Sequence, residues 1–214
     1  MLRTGLLMLA VTGTLLMSAG YARARVVDHE TFKGQFAFAN FSVDTSETCA
    51  DGTAGDLNTF VAVSGSQART SSRVFPSESA NSVSVFVDTF DSCTGLATFA
   101  FGQVSGGFTA STTRTATLNA SVPLSDDLGN SAGTATVALT LKRTIITSVF
   151  NDHTKEIQLD TGTGTLIVQE HETGKSAEAT ASGSVVVNGV QFISGFTSGG
   201  IVQESTGSVD IQKK

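Results

Sequence analysis

Residues 108–124 read Phe-Thr-Ala-Ser-Thr-Thr-Arg-Thr-Ala-Thr-Leu-Asn-Ala-Ser-Val-Pro-Leu, and the period of that stretch is two. Even positions carry Phe108, Ala110, Ala116, Leu118, Ala120, Val122 and Leu124, interrupted by Thr112 and Arg114; odd positions are hydroxyl residues apart from Asn119 and Pro123. Successive side chains of a strand point to opposite faces, so one face is apolar and the other hydroxyl-rich. The expectation is one strand from Phe108 to Leu124. The turn residues Ser125-Asp126-Asp127-Leu128-Gly129-Asn130 follow, and then a second alternating run with Ala135, Val137, Leu139 and Leu141 in one phase.

The same period extends outward in both directions, and no stretch of a dozen residues places apolar positions at helical spacing. Upstream, Phe36 and Phe38 are in one phase and Phe41 and Val43 in the other, which predicts a bulge near Ala39-Asn40. Thr59 to Val63, Val83 to Phe90 and Leu96 to Phe101 are Val- and Phe-rich runs between turn residues. Downstream, Leu141 to Phe150 and Glu156 to Glu170 flank a polar turn, and Ala177 to Val187 leads into Asn188-Gly189, the strongest hairpin signal in the chain. Val190 to Phe196 and Ile201 to Ile211 complete about ten strands. The fold class is therefore all-β, a single antiparallel β-sandwich or barrel. With 14 Phe and many Val, Leu and Ile, the 214 residues hold ample material for one core, and nothing in the chain marks a linker between two.

The first residues read differently. A short basic start, an apolar run from Gly5 to Met17 and the small residues Ala22-Arg23-Ala24 form the pattern of a signal peptide cleaved after Ala24. That divides the chain into a signal at residues 1–24 and a secreted domain at residues 25–214. The run is too short to span a bilayer, and no later segment is long and apolar enough, so no transmembrane segment is expected in the mature chain. Secreted or periplasmic localisation follows. Cys49 and Cys93 are the only cysteines, and in an oxidising compartment they are expected to form one disulfide. Arg3 and Arg23 would leave with the signal, so 11 basic residues would face 19 acidic ones, a net of about −8. That balance, without a basic run, argues against nucleic acid as a partner. The mature chain would also lack Trp, Tyr and Met, which disfavours a sugar-stacking surface.

The chemistry is mostly a set of absences. The sequence has no nucleophile elbow, His-Glu-x-x-His, P-loop or dinucleotide fingerprint, and Gly162-Thr163-Gly164 reads as a strand irregularity. Each histidine has a neighbouring carboxylate: Asp28-His29-Glu30, Asp152-His153 and Glu170-His171-Glu172. His153 and His171 fall in the expected turns at the two ends of one strand, which would hold them roughly 45 Å apart. They are expected to be surface residues without a shared metal. Asp44, Glu47, Asp51 and Asp56 around Cys49, and Asp126 with Asp127, are oxygen donors of the kind calcium uses, but without EF-hand spacing. Thr113, Thr115 and Thr117 have the spacing of an ordered hydroxyl row, read as a solvated sheet face.

No catalytic, cofactor-binding or metal residues are assigned, and no cofactor is expected. The functional expectation is a secreted β-sandwich with a non-catalytic binding or structural role, not an enzyme. An alternative is a β-barrel carrier of a small apolar ligand, motivated by inward-facing Phe. A third is an extracellular hydrolase in which His29, His153 or His171 meets Ser and Asp in space. Partners are an unidentified protein or a small apolar ligand.

Overall fold

The structure, a computed structural model, describes the backbone of residues 27–72, 76–160 and 164–213 and the side chains of residues 30–72, 76–155 and 171–205. The expected signal peptide at residues 1–24 and Gly162-Thr163 lie outside the described residues.

Ten strands form one sheet: β1 (Val27–Thr48), β2 (Ala54–Ser72), β3 (Glu78–Asp91), β4 (Leu96–Ser105), β5 (Phe108–Ser111), β6 (Thr115–Asp126), β7 (Ser131–Asp160), β8 (Gly164–Val187), β9 (Val190–Gln191) and β10 (Phe196–Lys213). A 3-10 turn, Ile193–Gly195, precedes β10. Every pairing is antiparallel. The order β1-β2-β3-β4-β6-β7-β8 continues through β10, which pairs with β8 on one side and β1 on the other. The sheet thus closes on itself as an eight-stranded barrel, and of the two expected architectures the barrel is the one formed.

Alternation explains the core. Ala37, Ala39 and Phe41 of β1, Val61 and Val63 of β2, Val83 and Val85 of β3, Leu118 and Val122 of β6, Val137 and Leu141 of β7, Val185 of β8 and Ile201 of β10 are all buried and pack together. Each lies in the inward phase of its strand, as the period of two requires. The phases of Phe36, Phe38, Phe41 and Val43 are the two faces of a continuous strand. A bulge between Asn40 and Phe41 is present, on the side of β1 that pairs with β10. The Asn188-Gly189 hairpin forms as expected, with φ of 50° and 87° at its two turn residues. The Asn188 amide also donates to the Ala132 carbonyl and its side-chain oxygen accepts from the Thr134 N–H, both at 3.0 Å.

Three expectations are corrected. Phe108 to Leu124 is two strands, because the chain reverses at Thr112–Arg114 and β5 folds back on β6 with Ser111 opposite Thr115. Thr112 takes a φ of 53°, rare for a β-branched residue and invisible to a search for Gly, Asn or Pro. The reversal separates Thr113, which is buried, from Thr115 and Thr117. It also tucks Phe108 into the core against Gly65, where an added Cβ would lie 2.3 Å from the ring. Second, there is no turn near Asp152 or Glu172: β7 and β8 pair from Ala135↔Val187 to Asp160↔Gly164, with bulges at Arg143/Ile145 and Ile146/Ser148 and none beyond. Third, most Phe face outward. Among the described residues only Phe41, Phe108 and Phe192 are buried, whereas Phe86, Phe90, Phe99 and Phe101 are each more than a third exposed on the outer face of β3 and β4.

Candidate functional site

Five strands, β7, β8, β10, β1 and β2, run past the apolar core as an extension of the barrel wall. Their registers align in rows. Val149, Lys175, Gln203, Gln35 and Gln67 form one row, and Asn151, Thr173, Ser205, Lys33 and Arg69 the next. These residues occupy the phase that faces the core one turn of the pleat earlier: Ala37 leads to Gln35 and Lys33, and Ile201 to Gln203 and Ser205. Along β1, β2, β8 and β10 the inward face therefore changes from apolar to polar without any change of phase, whereas β7 reaches Val149 and Asn151 through two bulges.

The charges on this extension are segregated. Lys33, Arg69 and Lys175 lie in the inward phase, and the two rows contain no carboxylate. Asp152, Glu172 and Glu204 alternate with them and belong to the opposite phase, and Glu204 also borders the larger of the two clefts described next. Lys33 is paired directly with Arg69, although like charges directly opposite on a ladder destabilise it. Two adjoining clefts lie over the rows, one of about 370 Å³ reached by Lys33, Arg69, Gln35 and Gln67, the other of about 290 Å³ reached by Lys175, Asn151 and Thr173. Gln203 and Ser205 line both. Thr173 and Ser205 hydrogen-bond through their hydroxyls at 2.8 Å. Gln35, in the amide orientation that satisfies both neighbours, donates to the Ala110 carbonyl at 3.2 Å and accepts from the Thr112 N–H at 3.3 Å. The β5 hairpin thereby separates the polar face from the core.

His153 and His171 are not 45 Å apart. They are direct partners across the β7–β8 ladder, with ring centroids 3.9 Å apart and planes 9° from parallel. They continue the inward phase of the polar face by one further row. The distance estimate failed because it took both histidines to sit in turns, whereas β7 extends to Asp160 and β8 begins at Gly164. His171 Nε2 is 2.7 Å from Asn151 Oδ1. His29 lies opposite Asp210 in the β1–β10 register, and its side chain is outside the described residues. No arrangement of His153 or His171 with serine and aspartate, as a hydrolase requires, occurs among the described contacts.

At the other end, Cys49 and Cys93 form the expected disulfide, with Sγ atoms 1.98 Å apart. The acidic residues nearby serve local structure. Asp51 accepts from the Thr53 hydroxyl and N–H, which lower its pKa. Asp91 accepts from the Thr94 hydroxyl and from the Thr94 and Cys93 N–H groups, and its pKa is lowered too. Glu47 is raised, first by desolvation and then by its hydrogen bond and proximity to Asp91. Glu47, Asp91 and Cys93 converge, but the Cys93 sulfur is held in the disulfide and offers no thiolate. In the β6–β7 turn, Asp126 accepts from the Asn130 side chain and from the Asn130 and Leu128 N–H groups, which lower its pKa. Its lone pairs are committed to the turn.

The carrier alternative is corrected by the core. Val61, Val63, Val83, Val85, Leu118 and Val137 fill the barrel with no exposed surface, and the inward Phe that motivated it mostly face outward.

No family model matches the chain, and no curated protein matches it. Two solved structures do. One is an acetoacetate decarboxylase-like enzyme from Sphingomonas wittichii RW1, at 9% identity and a TM-score of 0.27, covering 87% of this chain and 94% of that one. The other is the enduracididine biosynthesis enzyme MppR, at 8% identity and a TM-score of 0.29, covering 85% of this chain and 87% of that one. Both matches are to enzymes, in contrast to the expectation from sequence of a non-catalytic protein that is not an enzyme. At these TM-scores the likeness carries no reaction, substrate or residue role over to this chain.

Proposed function

We propose that the protein binds a small anionic ligand, a carboxylate or phosphate ester, on the polar face of the barrel extension. The observation that supports this is the direct pairing of Lys33 with Arg69, joined by Lys175, on a face whose two central rows hold no carboxylate in a chain of net charge −6. A guanidinium presents a planar fork that matches a carboxylate or phosphate, and an ammonium adds a point charge. Gln35, Gln67, Gln203 and Asn151 supply neutral donors around them. An anion between Lys33 and Arg69 would turn a repulsive cross-strand pair into two attractive contacts.

The test is calorimetric titration with inorganic phosphate and with citrate, compared with a Lys33→Gln, Arg69→Gln double variant. Saturable binding by the parent chain that the double variant loses supports the reading. Equal binding by both, or none by the parent, overturns it.

We further infer that residues 1–24 are removed after Ala24 and that residues 25–214 work outside the cytoplasm. The Cys49–Cys93 disulfide supports this, because such bonds persist in oxidising compartments. The intact mass of protein secreted by its natural host tests it. A mass that retains residues 1–24 overturns it.

A further inference from the structure

We propose that His153 and His171 form a two-histidine site for a divalent late transition-metal ion, copper(II) or zinc(II), at the outer end of the polar face. The inference goes beyond anion binding and does not depend on it.

The geometry carries it. The two residues are direct cross-strand partners, and their rings lie parallel with centroids 3.9 Å apart. Zinc and copper bind imidazole nitrogen at about 2.0–2.1 Å, so two nitrogens on one ion sit about 2.9 Å apart at a right angle and about 4.2 Å apart in line. Directly opposed cross-strand residues have Cβ atoms about 4.5–5.5 Å apart, so the two side chains reach one ion once their rings turn out of the parallel stack and each aims an in-plane nitrogen lone pair at the metal.

Hydrogen bonding prepares one of the two ligands. Asn151 Oδ1 is an acceptor 2.7 Å from His171 Nε2, a contact that suits the tautomer with the proton on Nε2 and Nδ1 as the ligand atom. An amide oxygen that holds the second nitrogen of a metal-binding histidine is a common outer-shell device, since it sets both tautomer and ring orientation. Asn151 is thus a positioning residue. Charge points the same way. On the opposite face of the same ladder Asp152 is paired directly with Glu172, two carboxylates in register. A cation held by the histidines on the near face offsets that repulsion through the sheet. Two protein ligands leave the ion's other positions open to water or an exchangeable anion.

The experiment is titration of the folded chain with copper(II), followed by electron paramagnetic resonance, and separately with zinc(II) by calorimetry. One ion per chain with nitrogen coupling is expected. His153→Ala and His171→Ala should each abolish that stoichiometric binding, His29→Ala should leave it unchanged, and Asn151→Ala should weaken it about tenfold. Both rings are on the surface of the extension, and circular dichroism of each variant confirms that it is folded. No binding by the parent chain, or binding that survives His171→Ala, overturns the proposal. Lys33→Gln with Arg69→Gln should retain the metal, which separates failure of this site from failure of the anion site.

Discussion

Lys33 of β1 stands directly opposite Arg69 of β2, two cations in register on a ladder where most other cross-strand pairs are neutral. Like charges in that position oppose pairing, and the repulsion belongs to the folded state because the unfolded chain does not hold the two together. Lys33→Gln is therefore expected to stabilise the protein by roughly 0.5 kcal/mol in low salt, with the gain shrinking in 1 M salt as the charges are screened. Urea unfolding midpoints at the two salt concentrations measure it. A loss of stability in low salt would show that Lys33 makes a net favourable contact.

Phe108 packs into the core across from Gly65, and a Cβ at Gly65 would come within 2.3 Å of its ring. Gly65→Ala should destabilise by about 1–3 kcal/mol through overpacking. Phe108→Ala should cost about 3–5 kcal/mol by leaving a cavity. In the double variant the smaller side chain makes room for the added methyl, so the penalties should be less than additive. Thermal melts of the three variants decide it, and strict additivity would mean that the two residues do not compete for the same space.

The disulfide joins the β1–β2 connection to the β3–β4 connection across a sequence separation of 44 residues. Replacing both cysteines with serine should lower stability by up to about 4 kcal/mol, by freeing the unfolded chain. The barrel core lies elsewhere, so circular dichroism should still report a β protein. Loss of all strand signal would make the crosslink a condition of folding.

Glu47 and Asp91 respond to pH in opposite senses. Desolvation and the neighbouring Asp91 raise the Glu47 pKa above its usual value. Its contribution is then fully present below the unfolded-state value and is lost as pH rises through the folded one. The Asp91 and Asp126 values are lowered, by the Thr94 and Asn130 side chains first. Their contributions are present above the unfolded-state value and are lost as pH falls through the folded ones. Glu47→Gln should accordingly raise the urea midpoint at pH 7 and have little effect at pH 4, whereas Asp126→Asn should lower it at pH 7 and matter less in acid. A Glu47→Gln variant that is less stable at neutral pH would contradict the sign.

Much of the fold was legible locally. Alternation marked the strands, Ser125–Asn130 and Asn188-Gly189 marked two turns, and the pair of cysteines marked the crosslink. The candidate site was not, although a trace of it was present: the inward phase of β1 passes from Phe41, Ala39 and Ala37 to Gln35, Lys33 and Thr31. Reading that change as a site requires knowing that β2, β8 and β10 make the same change at the same level, and register is a relation between strands. The histidines illustrate the limit most clearly. Glu170-His171-Glu172 looks like a turn by composition, yet a partner strand with twenty-four matched positions holds it extended.

The sequence by itself determined that this chain is all-β, which segments lie within strands, and which two sulfurs meet, because side-chain alternation, turn conformations and cysteine pairing in an oxidising compartment are short-range or combinatorially trivial. Only the tertiary structure decided that the sheet closes, that Phe108–Leu124 folds back on itself, and that Lys33 faces Arg69 and His153 faces His171. Those outcomes depend on pairing between strands distant in sequence, where a shift of one residue would turn every side chain to the other face.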